Sequence, residues 1–159
     1  MDQQKGGGGV SWDKIVKAAG GLLGAAAGLL GGWDVTLTIL ATMMAADYAS
    51  GLIVAACGRS PKTAQGGLSS KIGFVGLAKK GFMLLIVLLA ALLDRAAGTD
   101  RMVFRTAATC YYIANEGLSV LENAALMNVP VPKKLKAALE EMREREKGEK
   151  NDKDDRDKA

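Results

Sequence analysis

Charge is confined to one end of this chain, and that partition limits its fold more than any other feature. In residues 133–159, 19 of 27 positions are Lys, Arg, Asp or Glu, while the 132 residues before them hold only the other 19. Whole-chain averages of 49% hydrophobic and 24% charged residues conceal this and would pass for a soluble domain. Split at Lys133, the sequence reads as a membrane body carrying a solvated tail.

The body contains four apolar stretches. Residues 18–33 carry no charge and are bounded by Lys17 and Asp34. Residues 35–58 are interrupted by charge only at Asp47. Residues 81–93, GFMLLIVLLAALL, form the strongest run, with Lys79 and Lys80 before it and Asp94 and Arg95 after it. Residues 106–129 are mixed, with Glu116 and Glu122 inside. A spanning helix needs about 20 apolar residues. The second stretch is long enough, and the third becomes so, over about 78–97, if Lys79 and Lys80 snorkel to the interface. The expected helices are therefore about 18–33, 35–58, 78–97 and 102–128. They form a membrane domain over 18–129, after a flexible glycine-rich leader (1–17) and before a charged tail (130–159). Ala25 and Ala27 mimic a signal-peptidase site, but the stretch is short and glycine-rich and more spans follow, so retention is expected.

Basic residues set the orientation. Arg59, Lys62, Lys71, Lys79 and Lys80 fall between the second and third stretches with no acid among them, and Lys133, Lys134 and Lys136 open the tail. Cytoplasmic loops carry such an excess. Four spans with both termini inside satisfy this pattern, and so do three spans with the first or last segment on the surface. The fold class is thus an all-α membrane protein of three to four transmembrane or amphipathic helices, with a charged cytoplasmic C-terminal helix and tail. The expected location is a membrane, crossed several times.

Several chemistries are excluded. There is no histidine, which removes His-dependent zinc sites and His-based triads. Cys57 and Cys110 stand far apart in apolar surroundings and read as small packing residues. No catalytic, metal or cofactor site is expected. The net charge of +4 reflects bases placed for a membrane surface, so lipid is the expected contact and nucleic acid is not.

The weaker helices are more informative. Gly20, Gly24, Gly28 and Gly32 recur every fourth residue and share one helical face, where backbones can approach closely in lipid. The alternative is a flexible tether of low hydrophobicity. Asp47, central in the second stretch, is costly in lipid and is expected to face a partner helix or water, as a structural hydrogen bond or a proton- or pore-linked group. At about 100° per residue, Tyr112, Asn115, Glu116, Ser119, Glu122 and Asn123 fall on one arc, opposite Ile113, Gly117, Val120, Leu121, Ala124 and Ala125. Such a helix lies on the surface, or spans with its stripe turned toward other subunits or water. Val-Pro-Val-Pro at 129–132 stops it. The tail then begins as a helix with Leu135, Ala138, Leu139 and Met142 at helical spacing. It ends in a solvated charge run from Asp152 to Lys158.

Five strings carry a family resemblance: GGWD (31–34), ADYASG (46–51), SKIGFVGLAKK (70–80), LLDRAAG (92–98) and YYIANEGLSVLENAALMNVPVPKKLKAALE (111–140). In that order they resemble the phage holin family, which includes the toxin-secretion holins of clostridia. The glycine leader and long charged tail depart from the pattern. The resemblance implies a homo-oligomer of the cytoplasmic membrane that opens lesions. A soluble endolysin, or in the toxin-secretion branch a toxin, then escapes as a functional partner without a stable complex. It implies no enzyme activity. A small ion channel or transporter using Asp47 and Glu116 is the competing expectation, and a scaffold with a recruiting tail is the third.

Overall fold

The computed structural model describes residues 11–98 and 101–156, and among them every regular element is an α-helix. The helices are α1 (Trp12–Leu29), α2 (Val35–Ala56), α3 (Ser70–Ala96), α4 (Val103–Leu126) and α5 (Lys133–Arg156). The glycines at 6–9 and the side chains of the run from Asp152 to Lys158 lie outside the described residues.

Helix ends are set by left-handed residues. Gly31, Gly58, Gly98 and Asn128 all have positive φ just beyond α1, α2, α3 and α4. After α2, Arg59 N–H donates to the Val54 carbonyl at 3.0 Å and Gly58 N–H to the Ala55 carbonyl at 3.1 Å. The same paired closure recurs after α4, from Val129 to Ala124 and from Asn128 to Ala125, both at 3.0 Å. This corrects the expected boundaries. The helix expected over 18–33 ends at Leu29 and begins earlier, at Trp12, because Gly31 and Gly32 reverse the chain at φ 88° and 98°. Gly32 is therefore outside the helix that holds Gly20, Gly24 and Gly28. The third helix starts at Ser70, eight residues before the expected 78, and has 27 residues. In the tail, α5 continues to Arg156, supported by pairs such as Lys136–Glu140 and Glu141–Arg145 one turn apart.

Two helices, α2 and α3, are long and apolar enough to cross a membrane. At 1.5 Å per residue they measure about 33 and 40 Å, against about 30 Å of hydrocarbon. Each turns a seam inward with alternating steps of three and four. On α2 it is Leu37, Leu40, Met44, Asp47, Gly51 and Val54; on α3 it is Gly73, Gly76, Lys80, Met83, Val87, Ala90 and Asp94. That 3.5-residue repeat keeps a contact line facing its neighbours. The fully buried apolar cluster is small: Leu37, Leu40, Met44 and Val87, with Leu30, Met83, Ala108, Tyr112 and Ile113 packed around it. The outward faces carry Ile39, Leu52 and Ile53 on α2 and Phe74, Leu77, Phe82, Leu85 and Leu89 on α3, all exposed.

Centrally placed α4 packs against α2, α3 and α5, while among the described residues α1 packs against α3. Close glycine packing occurs away from α1. Tyr48 lies over Gly73 and Gly76, and Gly117 receives Leu139, whereas nothing lies within 4 Å of a Cβ placed at Gly20, Gly24 or Gly28.

The α2–α3 loop is tightly closed. Gly66 has φ +70°, and a Cβ there would stand 2.1 Å from the Gly58 carbonyl oxygen. Ser60 N–H donates to the Gly66 carbonyl at 2.9 Å. Gly66→Ala is expected to lower stability by about 1–3 kcal/mol, the usual cost of a strained left-handed position. Gly67→Ala, with open space around it, should change it little. Thermal unfolding in detergent micelles separates the two variants.

Candidate functional site

The seam of α4 is polar from end to end: Arg105, Thr109, Tyr112, Glu116, Ser119 and Asn123, in steps of four and three. It faces α2 and α3 of the same chain, and the polar groups gather in two places.

In the interior, Lys80 of α3 sits between carboxylates from two other helices. Its Nζ donates to Asp47 Oδ2 at 2.8 Å and also to Glu116 Oε2. Asn123 of α4 donates to Asp47 Oδ1 at 3.2 Å and to Ser50 Oγ at 2.9 Å, completing the tie between α2 and α4. Glu116 is 2% exposed and Lys80 9%. Lys80 therefore does not snorkel as expected; Lys79 beside it is the exposed one. The reason is its place in the seam, one step from Gly76, where a long side chain reaches both neighbouring helices. One cation between two carboxylates satisfies groups that burial would otherwise penalise.

At the α3–α4 turn lies a second network. Asp94, fully buried, accepts from the backbone N–H of Phe104 at 3.0 Å and of Arg105 at 2.8 Å, capping α4 from another helix. Arg105, itself buried, donates to Asp34 Oδ2 at 2.8 Å and to the Gly32 carbonyl at 3.1 Å. Asp34 in turn caps α2 by accepting from Leu37 N–H at 2.9 Å. The hydrogen-bonded Arg105 guanidinium holds the Asp34 carboxyl well below the usual carboxylate range, against the opposing effect of partial burial.

Beside the interior cluster is a cavity of about 180 Å³, lined in part by Asp47, Tyr48, Lys62, Lys80, Ser119 and Glu122. The expected polar residues thus divide. Asp47, Glu116 and Asn123 meet around Lys80; Ser119 and Glu122 line the cavity, with Glu122 exposed; and Asn115 is half-buried without a hydrogen bond to the cluster. Lys80, Asp94 and Arg105 were not singled out from the sequence as site residues, although the α3 and α4 seam spacing contains all three. Among the described residues, no group of His, Cys, Asp and Glu is placed to hold a metal ion.

Comparison with known proteins places this geometry. Residues 24–144 match the bacteriophage holin family. The chain belongs to that family. The family is a membrane-permeabilising, non-enzymatic class, which gives the chain a holin-type role in a membrane. Among its relatives, an uncharacterized 14.9 kDa protein of Clostridium perfringens is 40% identical over 114 residues, covering 72% of this chain and 81% of the relative. An uncharacterized protein of Halalkalibacterium halodurans is 34% identical over 133 residues, covering 80% and 93%. One from Listeria monocytogenes is 39% identical over 108 residues, covering 68% and 71%. No solved structure matches.

Lys80→Met is expected to destabilise the bundle by roughly 3–5 kcal/mol, because it strands two carboxylates. Adding Asp47→Asn and Glu116→Gln should recover most of that loss, as measured by denaturant titration in micelles. At the α3–α4 turn the sign follows from the lowered Asp34 pKa. The Asp34–Arg105 contribution is fully present above the unfolded carboxylate value, about pH 4, and is lost as pH falls through the folded one. Melting temperature should therefore fall more steeply below about pH 4 in the wild type than in Asp34→Asn, which keeps a capping side chain.

Proposed function

We propose that the chain accumulates as a homo-oligomer in the bacterial cytoplasmic membrane and opens lesions through which a soluble endolysin, or a toxin, leaves the cell. The observation that carries this reading is the all-polar seam of α4, held inside a bundle whose α2 and α3 present apolar faces outward. A bundle built this way stores a water-compatible wall. When copies separate their helices collectively, Asp47, Glu116, Ser119 and Asn123 exchange partners for water, joined by Asn115 and Glu122.

Three spans fit the packing best. α2 and α3 cross, and α4 crosses between them with its charges paired inward. In α1 the uncharged helical part runs only from Ala18 to Leu29. Twelve residues make about 18 Å, short of a bilayer's hydrocarbon. Exposed Trp12 and Trp33 flank it as interfacial anchors. The membrane domain then covers about 18–129, with Gly20, Gly24 and Gly28 available for packing against another copy and Gly32 serving the turn. The basic α2–α3 loop and the tail from 130 face the cytoplasm.

The cavity beside Lys80 favours one second reading, a small-ion pathway that uses the buried carboxylates. Induced expression with a separately supplied cytoplasmic endolysin distinguishes the two. The lesion reading expects an abrupt fall in culture density that requires both proteins. Collapse of membrane potential with the endolysin retained inside would instead establish the ion pathway.

A further inference from the structure

The contact between α5 and α4 is out of keeping with a bilayer. Leu139 of α5 seats its Cδ1 and Cδ2 at 3.1 and 3.3 Å from the Cβ position of Gly117, filling a notch that only glycine leaves. Gly117 follows Glu116, so the notch lies at the level of the interior Lys80 cluster. From that level toward the α2–α3 loop, α2 and α3 still present Leu52, Ile53, Phe74 and Leu77 outward, all exposed. Yet the part of α5 beside the notch carries Lys136, Glu140, Glu141 and Arg143. Charges held at that depth are costly.

The docking is also incomplete. Of the apolar stripe Leu135, Leu139 and Met142, only Leu139 is substantially covered; Leu135 and Met142 remain exposed. Arg143 Nε is buried, with the Glu144 carboxylate at 3.7 Å but no hydrogen bond. An amphipathic helix with an unused apolar stripe and many bases has an alternative berth on an anionic membrane surface. Meanwhile α5 packs on a flank of α4 at Gly117, and by helical spacing Leu121 and Ala124 share that flank.

We propose that α5 is an autoinhibitory strap: Leu139 occupies the Gly117 notch, and the same flank of α4 packs against a second copy of the chain once α5 moves to the membrane surface. The flank is self-complementary. Leu121 lies one helical turn from Gly117, so a twofold-related copy brings each Leu121 to the partner's notch, the arrangement an isologous contact requires. This inference rests on the lesion-forming reading above and adds to it the surface that assembly uses.

The test uses full-length protein with Cys57→Ser and Cys110→Ser, reconstituted in phosphatidylethanolamine–phosphatidylglycerol vesicles holding a folded reporter protein. Gly117→Cys with Leu139→Cys, oxidised before reconstitution, should release no reporter until a reductant is added. Leu139→Ala should release it about tenfold faster, a factor equivalent to 1.4 kcal/mol. It should also raise Leu121→Cys cross-linking between copies. If the parent protein releases no reporter, the lesion reading fails and the strap falls with it. If the parent releases it and the oxidised pair does so as fast as its reduced form, the strap alone is overturned. Should the reduced pair be inactive, Leu139→Ala decides: unchanged release and cross-linking overturn the strap.

Discussion

A lysine in the middle of a membrane-spanning helix must either reach the interface or find partners inside. Lys80 does the second, and the bundle is arranged around that choice. Pairing with Asp47 and Glu116 fixes the rotation of α3 about its axis. That rotation puts Gly73, Gly76, Val87 and Asp94 on the inner seam and leaves Phe74, Leu77, Phe82 and Leu89 outside. It also sets the depth of α4 against α2, because Glu116 must meet the ammonium while Asn123 reaches the Asp47 carboxylate two seam steps further along. The lipid face of the molecule is thus a consequence of where one cation is satisfied.

Polar pairing matters here because apolar burial supplies little. Among the described residues, Leu37, Leu40, Met44 and Val87 form a small contiguous buried cluster, with Val54, Leu118 and three alanines buried outside it, and in lipid the hydrophobic effect does not draw helices together. What favours the closed bundle is that Lys80, Asp47, Glu116 and Asn123 have partners they would lack against hydrocarbon. Water removes that advantage, since exchanging a protein partner for water changes free energy by only about 0.5–1.5 kcal/mol per hydrogen bond. The same groups therefore resist opening toward lipid strongly and opening toward water weakly. In the lesion-forming reading proposed above, a single bundle would stay shut while an array that admits water would open along its polar seams.

Much of this was legible in the residues, though not all for the right reason. The all-helical class, the spans of α2 and α3, and the amphipathic character of α4 follow from hydropathy and a 100° wheel. The wheel puts the residues from Tyr112 to Asn123 on one arc, but it cannot say what each of them meets: Glu116 and Asn123 join the interior cluster, while Glu122 is exposed. The partner is Lys80, which a flanking-charge argument assigns to the interface. The better signal was spacing: Gly73, Gly76, Lys80, Met83, Val87, Ala90 and Asp94 alternate steps of three and four, a seam in which a lysine is an inward residue. Hydropathy alone puts helix ends up to four residues late, because Gly31, Gly58 and Asn128 fall inside the apolar stretches yet act as left-handed stops. Within the chain the close glycine contacts are at Gly73, Gly76 and Gly117, while Gly20, Gly24 and Gly28 meet nothing within 4 Å and remain open for another copy in the reading proposed above.

The two polar networks also divide the labour of the bundle. The Asp34–Arg105–Asp94 network joins helix ends: Asp34 caps α2, Asp94 caps α4, and Arg105 links both to the turn after α1. Its members lie at chain reversals, so it holds α2, α3 and α4 together even when their middles part. The Lys80 network joins helix middles and has a cavity beside it. In the lesion-forming reading proposed above, a bundle pinned at one end and held elsewhere by groups that water can replace would open as a hinge, parting toward the α2–α3 loop. The Gly117 notch filled by Leu139 lies at the level of the Lys80 network, so under that reading α5 covers α4 where the helices would begin to part.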